Sequence, residues 1–192
     1  MLFTALQHEA GPVAIRYPRG HAIGVPQSNS FSALAIGESE VLRSGERLAI
    51  WAVGAMVSRA LQTAALLQSQ LRLNAEVINA RFVKPMDQTT LERLAANYEL
   101  IITMEEGILK GGFGSEVVEH LMEQKHQGVE VIRCGLPDQF LPQGNRESLL
   151  DQAGLSPETV LQQVQQSLFF QTSHRAKRIR SLFRINRKSR SA

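Results

Sequence analysis

The sequence predicts an α/β fold, a three-layer α/β/α domain built on a mostly parallel sheet. Three observations carry this. From residue 48 onward, apolar strand-like runs alternate with segments of helical period. The runs LAIWAVG (48–54) and LIITME (100–105) are almost continuously apolar, the pattern of strands covered on both faces. Strand–helix alternation of this kind also calls for right-handed crossovers between parallel neighbours.

The elements follow in chain order. Residues 11–17 (GPVAIRY) read as a strand with Val13, Ile15 and Tyr17 on one face, ended by Pro18, which cannot donate to a ladder. The Gly-, Pro-, Ser- and Asn-rich stretch 21–37 reads as a linker. EVLRSG, from Glu40, adds an edge strand. The run 48–54 is a buried strand, and 56–71 is a helix with Met56, Ala60, Leu61, Ala64, Leu67 and Leu71 near one face. Strands are expected at 74–80, 100–105 and 129–135. Helices are expected at 87–98, N-capped by Asp87 after Pro85, and at 113–126. Two more start at 146 and 156, the second with Ser156 as cap, Pro157 at the first helical position and Glu158 in the first turn. There is no internal repeat. The expected organisation is the C-terminal end of a truncated domain at 1–20, a linker at 21–37, the three-layer domain at 38–170 and a basic tail at 171–192.

Composition narrows the class. With 43% hydrophobic and 20% charged residues, the chain reads as soluble and globular. No apolar run approaches the ~20 residues of a membrane helix, and the start, MLFTALQHEAGP, lacks the basic region and apolar core of a secretory signal. Cys134 is the single cysteine, which excludes an internal disulfide and favours a reducing compartment. The net charge of +3 hides an asymmetry: residues 174–192 hold eight Lys or Arg and no acid, whereas the rest holds thirteen bases against eighteen acids. The tail reads as a disordered extension, with at most nonspecific contact to nucleic acid or anionic lipid.

The chemistry-bearing candidates begin with Arg16-Tyr17-Pro18-Arg19-Gly20-His21. An arginine at a strand's carboxyl end, followed by a glycine that lets a ligand approach the backbone, suits a phosphate. The alternative is an Arg19 that pairs with a carboxylate or carbonyl. Arg16, on the other face, reads as structural, and His21 lies at the same mouth. Gly111-Gly112-Phe113-Gly114-Ser115 precedes a helix and could present N–H groups to an anion. Glu105, Glu106 and Glu116 stand close by and would repel phosphate, so the glycines read as a tight turn with Ser115 a possible cap. Glu105 and Glu106 read as structural carboxylates, with Arg81 and Lys84 as their ion-pair partners. Asp138 and Gln143 order their loop. Cys134 lies on a strand and reads as buried and inert. His120 and His126 are spaced so as not to share a helical face.

Four blocks in order, IRYPRG, INARFVKPMD (78–87), TMEEGILKGGFGSEVVEHL (103–121) and CGLPDQFLPQGNRESLLDQAGL (134–155), resemble the C-terminal part of the 1-deoxy-D-xylulose-5-phosphate synthase family, a transketolase-like group. The resemblance runs from about residue 8 to about 170. It implies a transketolase C-terminal-like domain at 38–170, preceded by the last strand of a pyrimidine-binding domain. It implies a transferase that condenses pyruvate with glyceraldehyde 3-phosphate, using thiamine diphosphate and Mg²⁺, and that acts as a cytoplasmic (in a eukaryote, plastid) homodimer. Arg19 matches the family's substrate-phosphate arginine, with Gly20 and His21 beside it. The sequence contains no Gly-Asp-Gly with a distant Asn, so the ligands of cofactor and metal, and the catalytic groups, are expected in missing N-terminal domains, and this chain alone is expected to be inactive. Transketolases and 2-oxoacid dehydrogenase β subunits share the second and third blocks and remain alternatives, as does a non-catalytic interaction module.

Overall fold

The strand with the most uniform apolar composition stands at the centre of the sheet. In the computed structural model, which describes residues 1–18 and 30–172, β2 (Leu48–Ala52) is buried at every position. It is flanked by parallel partners on both sides, β3 (Glu76–Asn79) and β4 (Leu100–Ile108). Beyond β4 lies parallel β5 (Glu130–Leu136), and beyond β3 lies antiparallel β1 (Glu40–Arg43), the expected edge strand. The five-stranded order is β1-β3-β2-β4-β5.

Alternation along β2 divides the core into two layers. Leu48, Ile50 and Ala52 face α2 (Met56–Leu71), α5 (Arg146–Gln152) and α6 (Pro157–Gln166), where Leu67, Leu150, Val160 and Val164 complete the cluster. Ala49 and Trp51 face α3 (Gln88–Asn97) and α4 (Phe113–Glu123), with Leu91, Leu94, Phe113 and Val117. Trp51 lies edge-on to Phe113 at 5.0 Å between ring centroids and donates its indole N–H to Ser39 Oγ. Each face therefore has its own helical cover, as a mostly parallel sheet demands.

Two of the caps, Asp87 and Ser156, are those the sequence marks, and Asn145 adds a third that it does not. Asp87 accepts the N–H of Thr90, Asn145 that of Glu147, and Ser156 that of Thr159, with Pro157 opening α6. The burial of α2 departs from expectation. Met56, Ala60, Ala64 and Leu67 are buried as read, but Leu61 is 39% exposed, and Arg59 and Thr63 take inward places. Arg59 goes inside because carboxylates and carbonyls of α5 and its flanks receive its guanidinium. Ser115 is not the cap of α4: Gly112 holds that position, and the Ser115 hydroxyl donates to the Leu109 carbonyl.

At the N-terminus lies a short helix, α1 (Leu2–Leu6), which the sequence reading did not assign; Phe3 stacks on Phe31, and the Leu34 N–H donates to Thr4 Oγ1. The strand expected at 11–17 carries no regular structure and pairs with no described strand. A lone strand cannot satisfy its backbone without a neighbour, and the described sheet is complete without it.

Candidate functional site

Open α/β sheets bind ligands outside the carboxyl ends of their strands. Here that rim is formed by the turns after β2, β3 and β4. Toward its carboxyl end β4 carries two adjacent carboxylates that point to opposite faces. Glu105, 6% exposed, turns toward α4 and accepts the backbone N–H of Phe113 at 2.9 Å and of Gly114 at 2.8 Å. Glycines make room for it: a Cβ on Gly107 or Gly112 would stand 2.6 or 2.5 Å from Glu105 Oε2. Glu106 turns the other way and holds Arg146 in a two-pronged pair at 2.8 and 2.5 Å.

From Arg146 the polar network continues to Glu147 at 2.6 Å, and from Glu147 to Arg59 at 2.6 Å. Arg59 also binds Asp151 Oδ1 and the carbonyls of Leu155 and Glu147. Burial opposes the charge on Arg59, but its hydrogen bonds to Glu147 and Asp151 outweigh that and hold it above the usual guanidinium value. Glu147 is held below the usual carboxylate range, chiefly by Arg59. At the mouth of the next loop Lys110 and Asp138 approach to 3.8 Å, both exposed.

The turn after β3 differs from the sequence reading. Arg81 and Lys84 do not meet Glu105 or Glu106. Arg81 takes a positive φ of 57° and pairs with Glu40 of the edge strand at 2.7 Å, because the chain turns there toward β1. Lys84, Ser39, Asp87, Thr90 and Glu116 line an open cleft of about 690 Å³. The Asp87 carboxyl is kept low: burial pushes it up, but the N–H groups of Thr90 and Ser39 and the Thr90 hydroxyl overcome that.

The histidines do not share a helical face, as read, but they meet because the helix is shorter than the expected 113–126. His120 Nε2 and His126 Nε2 meet the two oxygens of one carboxylate, Glu92, at 2.9 and 2.7 Å. Their spacing excludes a shared face only if the helix continues. It stops at Glu123, Lys125 turns left-handed with φ 61°, and the chain doubles back. Their hydrogen bonds, that of His120 first, hold the Glu92 carboxyl below its ordinary value. Cys134 is 3% exposed, and burial pushes its thiol up to about 12, as suits an inert residue.

Arg19, Gly20 and His21 lie outside the described residues, as do 21–29 of the linker and 173–192 of the tail. Arg16 is exposed. Among the described residues no three His, Cys, Asp or Glu are grouped to hold a metal ion, and no helix is long and apolar enough to cross a membrane. The carboxylates of the rim are committed to arginines and N–H groups, which is an arrangement for joining elements.

A family model for the transketolase C-terminal domain matches residues 37–160, and the chain belongs to that family. Within it the chain is similar to 1-deoxy-D-xylulose-5-phosphate synthases. It is 42% identical to that of Lysinibacillus sphaericus over 165 residues, which is 86% of this chain and 26% of the relative. It is 44% identical to that of Pelotomaculum thermopropionicum over 164 residues, 85% and 25% of the two chains. The chain thus spans about a quarter of the length of these relatives. Among solved structures, a split-gene transketolase described as an inactive β4 tetramer aligns at 31% identity with a TM-score of 0.66, covering 77% of this chain and 48% of the other. A transketolase from Pichia stipitis aligns at 18% identity with a TM-score of 0.51, covering 70% and 18%, and bears on the fold alone.

Proposed function

We propose that this chain is the C-terminal portion of a thiamine-diphosphate-dependent transferase that condenses pyruvate with glyceraldehyde 3-phosphate to 1-deoxy-D-xylulose 5-phosphate. The observation that carries this is identity above 40% to synthases over more than four fifths of the chain. On this reading residues 1–20 end a pyrimidine-binding domain, 21–37 form a linker, and 171–192 are an appended tail. The complete protein is a cytoplasmic (or plastid) homodimer.

The described residues do not fit the cofactor. Among them no three His, Cys, Asp or Glu side chains are grouped to hold a metal ion, and the glycine-rich start of α4 is occupied by Glu105, which would repel a diphosphate. Thiamine diphosphate, when bound, supplies the carbon–carbon bond chemistry from a site outside these residues. This part of the chain contributes a packed domain, its internal ties and, through Arg19, a grip on the substrate phosphate that orients the aldehyde.

The test is to assay the chain alone and joined to the upstream three quarters of a synthase, with pyruvate, glyceraldehyde 3-phosphate, thiamine diphosphate and Mg²⁺. The joined protein forms product and the chain alone forms none. In the joined protein Arg19→Ala raises KM for the phosphorylated aldehyde far more than for pyruvate, by the about 1.5–3 kcal/mol of a charge-assisted contact. Turnover by the chain alone, or equal effects on both substrates, defeats the reading.

A further inference from the structure

We propose that Glu92, His120 and His126 form a pH-responsive clamp, which tightens in mild acid and fixes the end of α4 and the turn before β5 to α3. The proposal does not depend on the function assigned above. The Glu92 carboxylate meets Nε2 of His120 at 2.9 Å and Nε2 of His126 at 2.7 Å, one on each oxygen. A carboxylate can only accept, so each Nε2 carries a hydrogen, and each Nδ1 is the nitrogen left to gain a proton. Histidine gains that proton between about pH 8 and pH 5. Each contact then becomes an ion pair as well as a hydrogen bond, with no change of geometry.

The clamp joins three separate pieces of chain. Glu92 lies on α3, His120 in the last turn of α4, and His126 beyond that helix's end. The Lys125 N–H donates to the Met122 carbonyl and the His126 N–H to that of Leu121. These two bonds make the left-handed helix stop that glycine ordinarily serves, and here Lys125 adopts it at φ 61°. A side chain is disfavoured in that conformation, and the grip on His126, the next residue, holds the stop from outside the helix. The turn then enters β5 at the amino ends of the parallel strands, opposite the rim described above.

The surroundings favour positive imidazoles. On α4, Glu116 and Glu123 stand one turn before and one turn after His120, and Glu119 precedes it. The carboxyl end of α4 adds partial negative charge. Lys125, beside His126, is exposed. On α3, Arg93 and Tyr98 both turn to Glu76, and on β5 the Glu130 carboxylate accepts the N–H groups of Leu168 and Phe169. Beneath this corner Leu121, Val129 and Val131 belong to the apolar layer. Burial opposes charge on His120, whose side chain is 13% exposed, and less so on His126 at 27%. Four carboxylates and a helix end, against one exposed lysine, outweigh a burial that is incomplete for every member. The clamp's contribution is therefore present in mild acid and lost as pH rises through the histidine range. It is also lost when Glu92 takes a proton, which its lowered carboxyl delays until pH falls below the ordinary carboxylate range.

The experiment compares the full 192-residue chain with Glu92→Gln, which keeps the shape and removes the charge. Thermal midpoints are followed by the fluorescence of Trp51, the single tryptophan, from about pH 8.5 to about pH 5.5. The other histidines, His8, His21 and His174, are common to both proteins, so their titration cancels in the difference. At the alkaline limit the midpoints lie within about 1 °C, because an amide still pairs with neutral imidazoles. At the acid limit wild type stands above the variant by roughly 2–4 °C. Amide hydrogen exchange locates the effect: at equal pH the His126 N–H exchanges about three- to tenfold faster in Glu92→Gln in acid, and at the wild-type rate in alkali. A midpoint difference that is the same at both limits, or larger in alkali, overturns the proposal. So does a His126 amide whose exchange in the variant follows wild type throughout.

Discussion

Arg59 was absent from the apolar stripe that the sequence marked on α2, yet it is only 7% exposed. Its guanidinium makes four hydrogen bonds, two to the carboxylates of Glu147 and Asp151 and two to carbonyls. No amphipathicity rule places an arginine there, because the reason is a set of acceptors some ninety positions away. Leu61, apolar and correctly spaced, stays on the rim because α2 needs only one covered stripe. Arg59→Ala should destabilise the chain by about 2–3 kcal/mol, since it leaves carbonyls without their donor. The cost stays below that of a fully buried pair because Glu147 and Asp151 are more than half exposed and can take up water. The urea midpoint checks this, and a change under about 0.5 kcal/mol would reduce the network to surface decoration.

At the scale of elements, most of the fold was readable because each start and stop has a local cause. Asp87, Ser156 and Pro157 sit where a helix must begin, and continuous apolar runs are strands whatever their neighbours. What was unreadable are the joints between elements. The Glu92 clamp on His120 and His126 depends on a left-handed turn at Lys125, and the Arg81–Glu40 pair on one at Arg81, both at non-glycine residues. The phosphate role proposed for Arg19 comes only through resemblance, since two arginines beside a proline do not by themselves distinguish a ligand from a carboxylate partner. Asp87 joins the two kinds of information, capping α3 and accepting the Ser39 N–H that leads into β1. Its carboxyl is held low in the fold, so it stabilises the fold above the ordinary carboxylate range, and that contribution is lost as pH falls through the lowered value. Asp87→Ala should therefore cost about 1–2 kcal/mol near pH 7. The gap between the melting curves of variant and wild type should narrow as pH falls below the ordinary carboxylate range, and a gap that does not narrow with acid would mean that the loss is packing alone.

At the scale of the whole described fold, one sheet separates two cores, and β4 shows the division within two neighbouring residues. Ile101 belongs to the layer under α3 and α4, whereas Ile102 belongs to the layer under α2, α5 and α6. Adjacent positions on a strand face opposite ways, so they share backbone but no packing partners. Each Ile→Val change removes one methyl from a fully buried site and should cost about 0.5–1.5 kcal/mol. Changes that share no partners add to within about 0.5 kcal/mol, so Ile101→Val with Ile102→Val should lose the sum. Trp51 lies in the first layer with Ile101, so the native emission should shift with Ile101→Val and stay put with Ile102→Val. Unfolding should remain a single transition in every variant, because β2 and β4 are common walls of both cores and neither face can be lost alone. Denaturant curves read by Trp51 emission and by far-ultraviolet circular dichroism test this together. Separate midpoints for the two probes, or a double loss well beyond the sum, would show that the layers communicate through the sheet instead of standing on either side of it.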